Sequence, residues 1–180
     1  MARDPQPLKP VPVRRRSAAR LAAIQVCYQA LMSGRSAARI APEFLEHYAS
    51  DVIKSFRVKD LDQEHFAALY AGMEADADTL DQMIASCLAS GWELDRLTLI
   101  ERSLLRAGTL ELCQMPHLPA RAVVSEYAGL GDAVGGDVGF INAVLDKIAQ
   151  GARVVEMGHE APKQNRTELD QTKSTKPSQT

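Results

Sequence analysis

TLIERSLLRAGTLELC, residues 98–113, carries the clearest local folding instruction in the chain. Thr98 is followed three positions later by Glu101, the reciprocal pattern in which a hydroxyl and a carboxylate each satisfy a free amide at a helix start. Leu104, Leu105 and Leu112 then recur at helical spacing, so the segment predicts a helix to about Cys113. Pro116 and Pro119 punctuate a short link, after which Val123, Val124, Tyr127 and Leu130 predict a helix from Ala120 to about Val134. Gly135-Gly136 breaks it. Asp137 is placed to cap a last helix to about Gln150, striped by Ile141, Val144, Leu145 and Ile148.

Toward the amino end the same periodicity continues. Residues 62–90 carry Phe66, Leu69, Tyr70 and Met73, then Leu80, Met83, Ile84, Cys87 and Leu88, one long helix or two in tandem. Pro42, a good first-turn residue, predicts the start of a shorter helix carrying Phe44, Leu45 and Tyr48. A first helix is expected from Ser17 to Ser33, with Gly34 as its stop and Leu21, Ile24, Tyr28 and Leu31 on one face. Six or seven helices with short connections amount to an all-α fold, a compact bundle.

Composition agrees with this reading. Only 5% of the 180 residues are aromatic, and β-branched runs are short. The net charge of -2 conceals an asymmetry: residues 1–20 hold six Lys/Arg and one acid, whereas 21–152 hold ten bases and eighteen acids. A basic amino-terminal end preceding an acidic body suits an anionic partner at that end. Pro5, Pro7, Pro10 and Pro12 predict an extended arm over 1–13, a helical domain over 14–152 and a polar, disordered tail over 153–180. Cys27, Cys87 and Cys113 are too scattered for a disulfide framework or a metal site and are expected to be buried thiols. With no secretory signal or membrane-length apolar segment, a cytoplasmic location is expected.

Two constellations point to nucleic acid. Arg14, Arg15, Arg16 and Arg20 lie where the arm turns into the first helix, with Arg16 and Arg20 one turn apart and roughly 60–100° from the centre of the apolar stripe. That placement directs them to solvent, where guanidinium groups bind phosphate in two-pronged fashion. Phe140 projects about 90° from the stripe of the last helix, and Lys147 at i+7 shares its face; an aromatic ring beside a cation is suited to stacking an unpaired base. The residues alone leave a second reading open for each: the arginines as a solubilising charge run, and Phe140 as packing for a neighbouring helix. Catalytic and metal chemistry finds little footing. His47, His65, His117 and His159 stand alone in the sequence, no acid/base pair is evident, and Gly131, Gly135, Gly136 and Gly139 lack the GK[ST] ending of a phosphate loop. Neither an enzyme nor a cofactor is expected.

Four segments in order, RRRSAARLAAIQVCYQALMSG (14–34), HFAALYAGM (65–73), WELDRLTLIERSLLRAGTLEL (92–112) and LPARAVVSEYAGLGDAVGGDVGFINAVLDKIA (118–149), resemble the NusB family. The closing FINAVLDKIA is the most specific. The resemblance implies two packed helical subdomains and a transcription antitermination factor that catalyses nothing. It implies binding of boxA-type single-stranded RNA of nascent rRNA transcripts, as a heterodimer with the ribosomal protein NusE, within an RNA polymerase antitermination complex. On matching positions it places Arg14, Arg15, Arg16, Arg20, Phe140 and Lys147 toward RNA, and Tyr28 and Glu101 toward the protein partner. An alternative within the same resemblance is a protein-binding module, or one associated with rRNA methyltransferases; no dinucleotide-type glycine motif or catalytic cysteine motif follows residue 150. The chain departs from the pattern at Ser125, Ala143, Asp132 and Gly139; the last two replace lysines of some members, which shifts the expected RNA affinity onto the arginines or the partner.

Overall fold

The structure, a computed structural model, describes residues 9–158; most of the expected arm (1–8) and of the tail (159–180) lies outside them. Among the described residues there are eight α-helices and no strand: α1 Val11–Ser33, α2 Ala37–His47, α3 Ala49–Ser55, α4 Gln63–Ala75, α5 Ala77–Cys87, α6 Leu99–Gln114, α7 Ala120–Ala133 and α8 Val138–Ala152. The all-α class is as expected, with one helix more than the sequence reading allowed. Helices α1–α4 pack together, α5–α8 pack together, and α1 and α4 lie against α6 to join the two groups.

Two helix starts differ from expectation, each for a local reason. Helix α1 starts at Val11, inside the expected arm, because Pro10 serves as the N-cap and Pro12 occupies the first turn, where a missing N–H costs nothing. Ser17, expected to be the N-cap, is instead buried on the second turn, its hydroxyl 3.1 Å from the Val13 carbonyl and 2.5 Å from Glu126. Helix α2 begins at Ala37, capped by the Ser36 hydroxyl and by Glu74, which accepts from the Ala37 amide at 2.7 Å; Pro42 sits within the helix on its exposed side. Of the two arrangements expected for 62–90, the structure has two helices in tandem, divided at Asp76, which closes α4 and opens α5.

Helix α1 is the axle of the molecule. Ala18, Ala19, Ala22, Ala23, Ile24 and Val26 are completely buried, and the small side chains of the four alanines let α4 and α6 approach closely. Gly108 does the same for α6 against α8, since a Cβ there would stand 2.8 Å from a Leu145 methyl. Gly135, at φ 75°, takes the left-handed backbone that ends α7, so the glycine cluster is a helix break as expected.

Helix α6 is secured at both ends. At its start the capping box forms: Thr98 Oγ1 accepts from the Glu101 amide at 3.3 Å, and Glu101 accepts from the Thr98 amide at 3.0 Å. At its end the Arg153 guanidinium donates to the carbonyls of Leu112 (2.5 Å) and Met115 (2.8 Å), satisfying acceptors left over by the helix. Glu156 accepts from the Ala120 amide at 2.6 Å and so caps α7. Residues 153–158 thus belong to the folded body, and the expected boundary at 152 falls too early. All three cysteines are free thiols as expected and Cys27 is buried, whereas Cys87 is half-buried and Cys113 exposed. Replacing Thr98 with Ala removes one half of the capping box; urea denaturation is expected to show a loss of about 1 kcal/mol with an unchanged m-value.

Candidate nucleic-acid interface

The arginine cluster divides at the surface of α1. Arg14 donates to the carbonyls of Arg57 (2.7 Å) and Phe56 (3.2 Å) and pins the loop after α3. Arg15 pairs with Asp60 at 2.8 Å, and Arg16 approaches Asp62 at 3.9 Å, all four side chains part-exposed. Surface pairs of this kind are worth roughly 0–1 kcal/mol, so Arg15 and Arg16 exchange a carboxylate for a phosphate at little cost.

Arg20 corrects the sequence reading. It is 4% exposed and does not face solvent. It shares its face with Ala23, Ile24 and Cys27 at i+3, i+4 and i+7, all buried, because the contacting surface of α1 is built from small residues that a stripe drawn through the large ones misses. Its guanidinium binds both oxygens of Glu111 at 2.8 Å in a two-pronged pair, lies 3.7 Å from Glu126, and stands over the Tyr127 ring. Glu111 is fully buried and accepts two further bonds, from His65 Nε2 at 2.7 Å and the Tyr127 hydroxyl at 2.9 Å. Burial by itself would raise the Glu111 carboxyl; hydrogen bonds from His65 and Arg20, with the Arg20 charge, outweigh it and hold the group at about 2. Burial likewise pushes the Tyr127 hydroxyl up, and the neighbouring Glu111 charge adds to it. His65, isolated in the sequence, is thus one member of a four-residue polar cluster linking α1, α4, α6 and α7.

At the other end of α6 lies an aromatic patch. The ring of Phe140, at the start of α8 where Asp137 accepts from its amide at 2.9 Å, stacks on Trp92 with centroids 5.6 Å apart and planes 29° from parallel. Trp92 is 50% exposed and carries Arg96 over its ring at 5.8 Å. Lys147 is exposed, with Nζ 3.4 Å from the Cys87 carbonyl. Phe140 and Lys147 therefore lie two turns apart on α8, with Leu145 between them packed against Gly108 of α6. Neither Trp92 nor Arg96 stands out in the sequence as a site residue, because both lie outside the α-helices, where no helical period relates them to Phe140.

Tyr28 lines a shallow groove with Gln25, Met32, Ile40, Phe44 and Tyr48 between α1 and α2. Glu101 spends one carboxylate oxygen on the capping box and stays part-exposed. Among the described residues no group of acidic, His or Cys side chains is arranged to hold a metal, and no helix is long and apolar enough to cross a membrane.

The model of the NusB family matches residues 17–150. The chain belongs to the NusB family. Among its NusB relatives, the transcription antitermination protein NusB of Sphingopyxis alaskensis is 40% identical over 140 residues, covering 77% of this chain and 94% of that one. That of Caulobacter vibrioides is 38% identical, with coverage of 78% and 96%. Solved structures agree on the NusB fold. T. maritima NusB aligns with a TM-score of 0.58 at 20% identity, covering 78% of this chain and 95% of that one. A chain in the crystal structure of a plectonemic RNA supercoil aligns at 0.63 and 26%, covering 77% and 96%.

The buried cluster makes two predictions for this NusB-family chain. Arg20→Met strands the Glu111 carboxylate and is expected to cost about 3–5 kcal/mol in urea denaturation, whereas Arg20→Met with Glu111→Leu costs less than the sum of the single changes. Because the folded-state pKa of Glu111 lies below its ordinary 4.5, the stability it supplies is complete above that value and is lost as pH falls toward about 2. Denaturation midpoints measured from pH 6 to about 2 are expected to fall along that limb, and Glu111→Gln is expected to flatten it.

Proposed function

We propose that this chain is a transcription antitermination factor that binds boxA-type single-stranded RNA of nascent rRNA transcripts as a heterodimer with the ribosomal protein NusE. In this reading it acts in the cytoplasm, by binding rather than catalysis, and helps RNA polymerase resist termination. The observation that carries it is the family match over 17–150, with relatives named as transcription antitermination proteins over more than nine-tenths of their length.

The geometry supplies the physical support. Arg14, Arg15 and Arg16 are part-exposed at the amino end of α1, and Arg15 and Arg16 hold carboxylates that a phosphate can displace. Arg20 supports the site from within: anchored on Glu111 and close to Glu126, it fixes the turn of α1 that bears Arg16. Phe140 and Lys147 form a second contact region, and the groove beside Tyr28, with Glu101, is the surface for NusE.

Titration of a fluorescein-labelled boxA-type oligoribonucleotide, with and without NusE, tests this. Affinity is expected to fall with salt, and neutralising Arg14, Arg15 and Arg16 together to reduce the log–log slope by about 2, at roughly 0.7 per phosphate contact on a single strand. NusE binding with no RNA binding at low salt would overturn the reading in favour of a purely protein-binding adapter.

A further inference from the structure

We infer that Trp92, rather than Phe140, is the outer platform on which an unpaired nucleobase stacks, with Phe140 as its backing. This rests on the RNA-binding reading and deepens it.

Phe140 is half-buried and packed against the core, and one side of its ring is covered by the indole. Trp92 is half exposed in a loop held by a single 3-10 turn, Leu94–Arg96. A base arriving from solvent meets the indole together with the Arg96 guanidinium over its ring, which it displaces or stacks upon. An exposed tryptophan costs a protein solubility and invites association, so a ring held in place by an aromatic neighbour is suited to a planar ligand.

The surroundings indicate which planar ligand. Arg96 donates to the Gly91 carbonyl at 3.1 Å and Lys147 to the Cys87 carbonyl, so both are positioned through neutral groups. Neither forms an ion pair among the described residues, unlike Arg15 and Arg16. An unpaired guanidinium on the stacked aromatic pair, with a second unpaired cation two turns along α8, matches a base attached to a phosphate. Glu93 and Asp95 lie exposed in the same loop and offset much of this charge. The platform therefore contributes through stacking, and the arginine cluster through phosphate.

That division gives the platform a readout of its own. Trp92 is the single tryptophan of the chain, so its emission reports on this position alone. The complex with NusE is titrated with the unlabelled boxA-type oligoribonucleotide while the Trp92→Phe complex supplies the blank, and binding is followed in parallel by anisotropy of the labelled RNA. Trp92 emission is expected to be quenched, and shielded from iodide, at the same midpoint as the anisotropy change. Trp92→Ala is expected to weaken binding about tenfold with an unchanged salt slope, and Trp92→Phe to retain most of the affinity. Thermal melting of both variants checks that the fold survives at this exposed site. RNA binding that leaves Trp92 emission and iodide access unaltered overturns the platform and leaves the RNA-binding reading standing. Emission that changes with NusE alone and not with RNA overturns it in favour of a protein contact. Absence of RNA binding by the unaltered complex overturns the underlying reading itself.

Discussion

A carboxylate taken fully out of water needs partners on several sides, and Glu111 has them from three helices other than its own. Arg20 of α1 supplies the opposing charge, while His65 of α4 and Tyr127 of α7 supply further donors. An isolated buried charge costs many kcal/mol, so these four residues are stable only together. The requirement fixes how α1 is rotated and how far it is slid along α6. A buried ion pair is weak support for stability in itself; its contribution here is to admit one register among the many that a face of alanines would tolerate.

That register determines what the surface presents. With Arg20 drawn inward, Arg16 one turn earlier and Arg14 and Arg15 beyond it are left at the rim, where the loop after α3 is tied to Arg14. A second pairing, Asp81 with Arg102 and Arg106, plays a similar part between α5 and α6. Burial opposes the charge on Asp81, but its arginine hydrogen bonds prevail and lower its pKa. The acidic body is therefore not uniformly a solvated face; part of its charge is consumed internally.

Much of this was legible in the sequence, and the failures have identifiable causes. The four helices whose ends carry explicit chemistry, α6 with Thr98 and Glu101, α7 after Pro119, α8 with Asp137 and α1 at Gly34, have those ends where the sequence places them. Helix α3 leaves little trace in the sequence because seven residues give too little periodicity, and α2 begins before Pro42 because Ser36 and Glu74 cap its start, the proline giving up one backbone hydrogen bond within the helix. On the candidate site, Phe140 and Lys147 share the predicted face. Arg20 was misplaced because an alanine-built contact is almost invisible to a search for large apolar residues. His65 and Glu111 are 46 positions apart, and Arg20 and Glu111 are 91 apart, so no local pattern could pair them. Trp92 is hidden in the sequence for the same reason, since its stacking partner Phe140 is brought to it by α8.

The grip of Arg153 on the end of α6 bears on the order in which the chain is made. Glu111 is held through its side chain by a residue synthesised 91 positions earlier and through its carbonyl, at 3.3 Å, by one synthesised 42 positions later. While the polypeptide is emerging, α1 through α6 can dock, yet the carbonyls at the end of α6 stay hydrated until the last helix has left the ribosome. Consolidation of the central pair of helices is thereby deferred to the completion of α8, and a nascent chain halted before Arg153 presents a body with one end of its principal helix still open.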